Sequence, residues 1–260
     1  MLQIHPIPAF NDNYFWLIQP ETQQPVVYVI DPGAAEPVFK ALEAHQLSLA
    51  GILITHHHHD HIDGATKLSQ TFNIPIYGPQ STNIPQITHY LSDNDNLVLV
   101  TLHAKIIALP GHTRDHIGYF IKPDRSQPLL FCGDTLFAAG CGRLFDGSIE
   151  QLFQSLQKIS QLPDETLIYC AHEYTLANIA FALFIEPEND QLIARQRSAG
   201  LERERHLPTV PNPLSLEKQT NPFLRCHLPA IRQRVEQLTQ QTLTTELEVF
   251  SHLRRIKDHF

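Results

Sequence analysis

The rhythm of apolar and polar positions changes along the chain. Through the first two-thirds, short apolar, β-branched runs alternate with segments of helical spacing. The short runs predict strands at 2–7, 14–18, 26–31, 51–55, 74–78, 96–100, 105–110, 116–121, 128–134 and 166–172. Apolar residues three to four apart predict helices over 36–46, 65–72 and 148–160. Asp31-Pro32-Gly33 ends its strand in a turn, with Pro supplying a fixed and Gly a permissive backbone. After His172 the pattern turns helical in YTLANIAFALFIEP, DQLIARQRSAGLERERH and LPAIRQRVEQLT, while 207–223 carries four prolines and reads as an ordered loop. A mixed α/β domain over 1–172 and a helical domain over 173–260 follow from that shift.

Composition narrows the classes. A chain of 260 residues with 42% hydrophobic content can bury a substantial core. A net charge of −8 speaks against non-specific nucleic-acid binding, which needs a basic surface. No apolar run approaches the ~18 residues of a membrane span, and the start has no basic region followed by an apolar one, so neither a membrane segment nor a signal peptide is expected. Four widely spaced cysteines (Cys132, Cys141, Cys170, Cys226) read as reduced thiols, which points to the cytoplasm. Nothing marks an oligomer interface, so a monomer is expected.

Histidine is the outlier, with 16 in the chain. The run Thr55-His56-His57-His58-His59-Asp60-His61 lies between the strand-like GILIT and a helical segment, the kind of strand end where α/β proteins build sites. In an extended segment alternate residues share a face, so His56, His58 and Asp60 converge while His57 and His59 point away and are expected to be dispensable. His61 joins Asp60 on a second side. Three more donors follow apolar strands: His112 in PGHT, Asp134 in FCGD and His172 in YCAHE. Three nitrogens (His56, His58, His112) then serve one ion, Asp60, His61 and His172 a second, and Asp134 bridges with one oxygen to each. Imidazole and carboxylate without thiolate suit zinc, iron or manganese in an open, catalytic site. Two such ions, about 3.5–4 Å apart, can hold a hydroxide and polarise a carbonyl. Asp31, ending its strand beside GILIT, is the candidate to orient a ligating histidine.

With these seven donors the sequence resembles the metallo-β-lactamase superfamily, which implies an αββα four-layer sandwich with a C-terminal helical domain. Within it the chain is similar to the glyoxalase II (hydroxyacylglutathione hydrolase) family over nearly its whole length. NDNYFWLI, VIDPG, THHHHDH, PGHT, FCGDTLFAAGCGRLFDG, AHEYTLAN, NPFLR and RRIKDHF carry the likeness, and the last blocks narrow it from superfamily to family. The resemblance implies hydrolysis of S-(2-hydroxyacyl)glutathione thioesters, chiefly S-D-lactoylglutathione, in methylglyoxal detoxification. A hydroxide between two ions would attack the carbonyl, with Asp60 and Asp134 as the catalytic carboxylates. It also implies that Arg143, Tyr174, Asn178, Arg254 and Lys257 bind the glutathione portion. Arg143 stands where animal members carry Lys, Phe145 where they carry Tyr, and Asp115 where many members have Gly. A metallo-hydrolase for another bond, an iron oxidoreductase and a non-catalytic metal module are the competing classes.

Overall fold

The computed structural model describes residues 2–124 and 126–260, which divide into two compact units, Met1–Leu109 with Asp115–Gly133 and Pro110–Arg114 with Asp134–Phe260.

In the first unit, β1 (Gln3–Ala9), β2 (Asn13–Gln19) and β3 (Val26–Ile30) form an antiparallel run. Helix α1 (Ala35–His45) crosses to β4 (Ser48–Leu53), the short α2 (His59–Ile62) and α3 (Ala65–Phe72) lead to β5 (Ile76–Pro79), and β6 (His89–Leu91) completes a six-stranded mixed sheet in sequence order. Strands β3 to β6 pair in parallel. For β3 to β5 the reason is visible in the pattern: helices between strands return the chain to the same end, so the next strand runs the same way. Val38 and Leu42 of α1 and Leu68 of α3 are buried against Val27, Val29 and Ile52 of this sheet, where each aliphatic side chain contributes about 1.5–3 kcal/mol. Strands β7 (Asn96–Leu99), β8 (Leu102–Ala108), β9 (Ile117–Ile121) and β10 (Leu129–Gly133) form an antiparallel meander. The buried Tyr119 hydroxyl donates to the Ile54 carbonyl at 2.7 Å, and the Ile117 amide to Thr55 at 2.9 Å, so β9 is fastened to the end of β4.

The second unit begins its main run with a tight hairpin, β11 (Leu136–Phe137) and β12 (Gly140–Cys141). Helix α4 (Ile149–Ser160) opens with a Ser148/Gln151 capping box, and β13 (Leu167–Cys170) pairs with β14 (Asn212–Pro213). Helices α5 (Thr175–Ile185), α6 (Asp190–Glu204), α7 (Leu214–Thr220), α8 (Pro229–Thr239) and α9 (Glu246–Asp258) make up the rest. Phe153, Phe250, Phe223 and Phe181 form a chain of ring contacts 5.4 to 6.0 Å apart that joins α4, α9 and α5.

Two local expectations change. The segment 207–223 is not all loop: α7 and β14 lie inside it. Its prolines fall at 208, 211, 213 and 222, which leaves 214–220 free of them, and Pro213 stands at the helix N-cap. The donor run is not extended throughout either. His58 has extended angles and caps α2, which turns His59–Ile62 into one helical turn with Asp60 near its N-terminal end, where a carboxylate is favoured. Among the described residues no helix is long and apolar enough to cross a membrane.

Candidate metal centre

In the first unit, Thr55 and Asp31 organise the histidine run. Asp31, 2% exposed, accepts from the Thr55 amide at 2.7 Å, from the Thr55 hydroxyl at 2.6 Å and from His61 Nδ1 at 3.1 Å. A carboxylate only accepts, so His61 carries its proton on Nδ1 and presents a lone pair from Nε2, 3.4 Å from Asp60 Oδ2. The Thr55 hydroxyl, having donated to Asp31, can accept from His56 Nδ1 at 3.0 Å. His56 Nε2 then faces His58 Nδ1 at 3.1 Å. The Asn13 amide donates to Asp60 Oδ2 at 2.9 Å and so fixes a carboxylate whose side chain is 42% exposed. The backbone here is close-packed: a Cβ on Gly33 would lie 1.8 Å from the Asp60 carbonyl oxygen.

His57 and His59 are both turned to other partners. His57 Nδ1 lies 2.9 Å from both oxygens of Asp115, so this aspartate fastens the donor run to the segment before β9. The His59 side chain is 90% exposed and its Nδ1 meets Asp63 at 3.0 Å. His116 is buried and stacks on His56, centroids 4.7 Å apart. We expect His59→Ala to keep the full metal content and to hold kcat/KM within about twofold, as for exposed substitutions generally. Atomic absorption of the purified variant checks this, and loss of one equivalent would overturn it.

In the second unit, His112 Nδ1 donates to the Arg143 carbonyl at 2.8 Å, which leaves Nε2 as a lone pair 3.3 Å from Asp134 Oδ2. His172 Nε2 lies 3.3 Å from the other oxygen, Oδ1. His112, Asp134 and His172 are all buried. One carboxylate thus offers a separate oxygen to each of two imidazoles. Tyr174 stacks on His172 with centroids 4.8 Å apart and planes 2° apart, and is itself 38% exposed. Arg143 is exposed, its guanidinium 5.7 Å from the Phe145 ring. Lys257 is half-buried, its ammonium 5.1 Å from Phe181 and 5.6 Å from Phe260; burial first, then Arg254, lowers its pKa. Asn178 and Arg254, each 5% exposed, lie under the β11–β12 hairpin, donating to the Ala138 and Cys141 carbonyls.

The chemistry of this arrangement fits cations. His61 and His112 each donate from Nδ1 to an oxygen, and the opposite nitrogen faces an aspartate oxygen 3.4 and 3.3 Å away. Lone pairs so placed repel unless a positive charge lies between them, and no thiolate belongs to the set. Sequence reasoning missed Asn13 and Thr55. Asn13 lies in NDNYFWLI and Thr55 begins the donor run, so both were in plain view, but neither is a metal-ligand type.

Sheets of this kind, with imidazole and carboxylate donors following strands, define a metallo-hydrolase scaffold. A metallo-β-lactamase from Staphylococcus aureus matches with a TM-score of 0.64 and 22% identity over 98% of this chain and 72% of its own. BLEG-1, a B3 metallo-β-lactamase, matches with a TM-score of 0.63 and 22% identity over 85% of this chain and 99% of its own. The fold is that of the metallo-β-lactamases. The model of the metallo-β-lactamase superfamily matches residues 12–172, and the one for the hydroxyacylglutathione hydrolase C-terminus matches 173–260. Hydroxyacylglutathione hydrolases from Nitrosomonas europaea and Aliivibrio fischeri are each 47% identical over 262 residues; both alignments span 100% of this chain, and 97% and 100% of those proteins. The chain belongs to the hydroxyacylglutathione hydrolase family of that superfamily. Its His/Asp donor set fits a dinuclear metal site.

Proposed function

We propose that this protein hydrolyses S-(2-hydroxyacyl)glutathione thioesters, chiefly S-D-lactoylglutathione, to the hydroxy acid and glutathione. The observation that carries the reading is Asp134, with Oδ2 toward His112 and Oδ1 toward His172, each at 3.3 Å. His56, His58, His112 and one Asp134 oxygen would hold one divalent ion; Asp60, His61, His172 and the other oxygen would hold the second, with zinc favoured over iron or manganese. Such ions, when bound, lower the pKa of water toward about 7 and polarise the thioester carbonyl.

The chain's own residues supply the rest. Asp60, held by Asn13, is placed to orient the attacking water and take its proton. The departing thiol has a pKa near 8.5, so it leaves as thiolate without a dedicated acid. The buried thiols of Cys141 and Cys170 are pushed up to about 11 and about 12 by burial, so neither is a competing nucleophile. Arg143, Tyr174 and Lys257 are the accessible groups for the glutathione carboxylates and backbone. A half-desolvated ammonium such as that of Lys257 attracts a carboxylate more strongly than a fully hydrated one.

The test compares kcat/KM for S-D-lactoylglutathione with that for the lactoyl thioester of a small thiol, on protein with its metal content measured. Each charge-assisted hydrogen bond to a carboxylate is worth about 1.5–3 kcal/mol, so a preference of roughly a hundredfold or more is expected. Equal rates would leave a generic thioesterase, and no hydrolysis with two ions bound would overturn the thioester reading.

A further inference from the structure

The β11–β12 hairpin is held in an unusual way. Five successive residues have a backbone group bonded to a buried side chain from the helices. Asn221 Nδ2 donates to the Phe137 and Gly140 carbonyls at 3.2 and 2.9 Å, and Asn178 Nδ2 to Ala138 at 3.1 Å. The Ala139 amide donates to Glu217 Oε2 at 2.9 Å, and Arg254 Nη1 donates to the Cys141 carbonyl at 3.0 Å. Glu217 is paired in turn with Arg195, and Asn221 also donates to it at 3.2 Å. All five side chains are at most 5% exposed. Ala139 sits at φ 54°, a left-handed conformation that favours glycine, so the turn is not one its own sequence would choose.

Burying two cations, a carboxylate and two amides is an expensive way to close a short turn, since each group loses hydration that only well-placed partners offset. What the hairpin adjoins explains it. Its entry follows Asp134 after one residue, Thr135. Its exit leads through Gly142, whose amide returns to Thr135 at 3.1 Å, to the Arg143 carbonyl that accepts from His112. A Cβ on Gly142 would lie 2.0 Å from the Asp134 carbonyl oxygen, so the stem cannot slide. The Phe137 ring packs edge-on against His172 at 5.9 Å. The hairpin and the residues that flank it therefore adjoin Asp134, His112 and His172.

We propose that Glu217, Asn221 and Asn178 are positioning residues that fix this hairpin and through it Asp134, His112 and His172. Asn178 and Asn221 then act on the reaction through the backbone carbonyls they hold. The inference rests on the donor set reading given above.

Asn178→Ala and Asn221→Ala test it, each titrated with Zn²⁺ and Co²⁺ and assayed at saturating metal. Partners that orient ligands typically change metal affinity by about 10- to 100-fold, so a dissociation constant raised at least tenfold is expected. The Co²⁺ visible bands should change while KM for S-D-lactoylglutathione stays at the wild-type value. Unchanged metal affinity and spectrum would overturn the proposal, and a raised KM beside them would place the two side chains on the substrate. Circular dichroism shows whether each variant folds; should Asn221→Ala fail to, Asn178→Ala, which removes one bond to the hairpin, decides. Wild-type protein that takes up fewer than two ions would instead overturn the donor set reading itself.

Discussion

Asp134→Ala is expected to lose both ions and to lower kcat/KM by more than about a thousandfold, beyond what removal of a single transition-state donor does. The two oxygens of Asp134 face different imidazoles at the same 3.3 Å, so one truncation strips a negative ligand from both places at once. Misfolding would give the same activity, and stability separates the two. A metal-free variant with the wild-type circular dichroism spectrum and a cooperative melt is folded, and its lost activity then comes from the lost ions. Asp134→Asn keeps the shape and removes the charge, and should retain weak metal binding. An Asp134→Ala protein that kept both ions would defeat the bridging assignment.

The parts of the fold written in local pattern were legible. β3, β4, α1 and α3 follow from apolar runs and helical spacing, and each donor after a strand could be named because strand ends are visible in one sequence. Less visible was the helical turn at His59–Ile62, since four residues of His, Asp and Ile carry no helical period. The turn changes how the run works: His56 and His58 are presented from extended chain, Asp60 and His61 from a helix. The hairpin clamp was least visible. Glu217 reads as a surface charge in LSLEKQT, and its partner Ala139 lies 78 residues away. Such pairings are non-local, and only the folded chain shows that the residues after Asp134 are held from the helices. The same is true of Asp115, whose role shows only beside His57.

These two arrangements share a logic. In each unit the donors themselves are few, and what surrounds them decides which nitrogen is a ligand. His112 is set by a carbonyl and His61 by a carboxylate, and the proton each holds on Nδ1 is what leaves Nε2 for metal. The positions that govern the site are therefore partly residues that never touch an ion.

Asp31 is where this has the largest expected effect on stability. Its three bonds satisfy the Thr55 amide, the Thr55 hydroxyl and His61, all within the buried interior. Asp31→Ala would leave those donors without an acceptor, and each such loss costs about 1–3 kcal/mol. Asp31 also sits at φ 49°, which alanine tolerates less well than aspartate. A loss of roughly 4–5 kcal/mol in total is expected, or about 10 °C or more in melting temperature for a chain of this size. Asp31→Asn isolates the chemical role. The amide oxygen can still accept from the Thr55 amide, so stability should fall by only about 1–2 kcal/mol. Its NH₂, however, takes the place of Oδ2 and faces both the Thr55 hydroxyl and His61 Nδ1, which must now accept. The imidazole proton moves to Nε2, the atom that faces Asp60, and the lone pair is lost to metal. The Thr55 hydroxyl, no longer donating to residue 31, turns its proton toward His56 Nδ1 and disturbs that histidine as well. Asp31→Asn should therefore bind metal at least tenfold more weakly, with kcat falling and the fold nearly intact. Wild-type metal affinity in Asp31→Asn would show that Asp31 braces the strand end without setting the histidines.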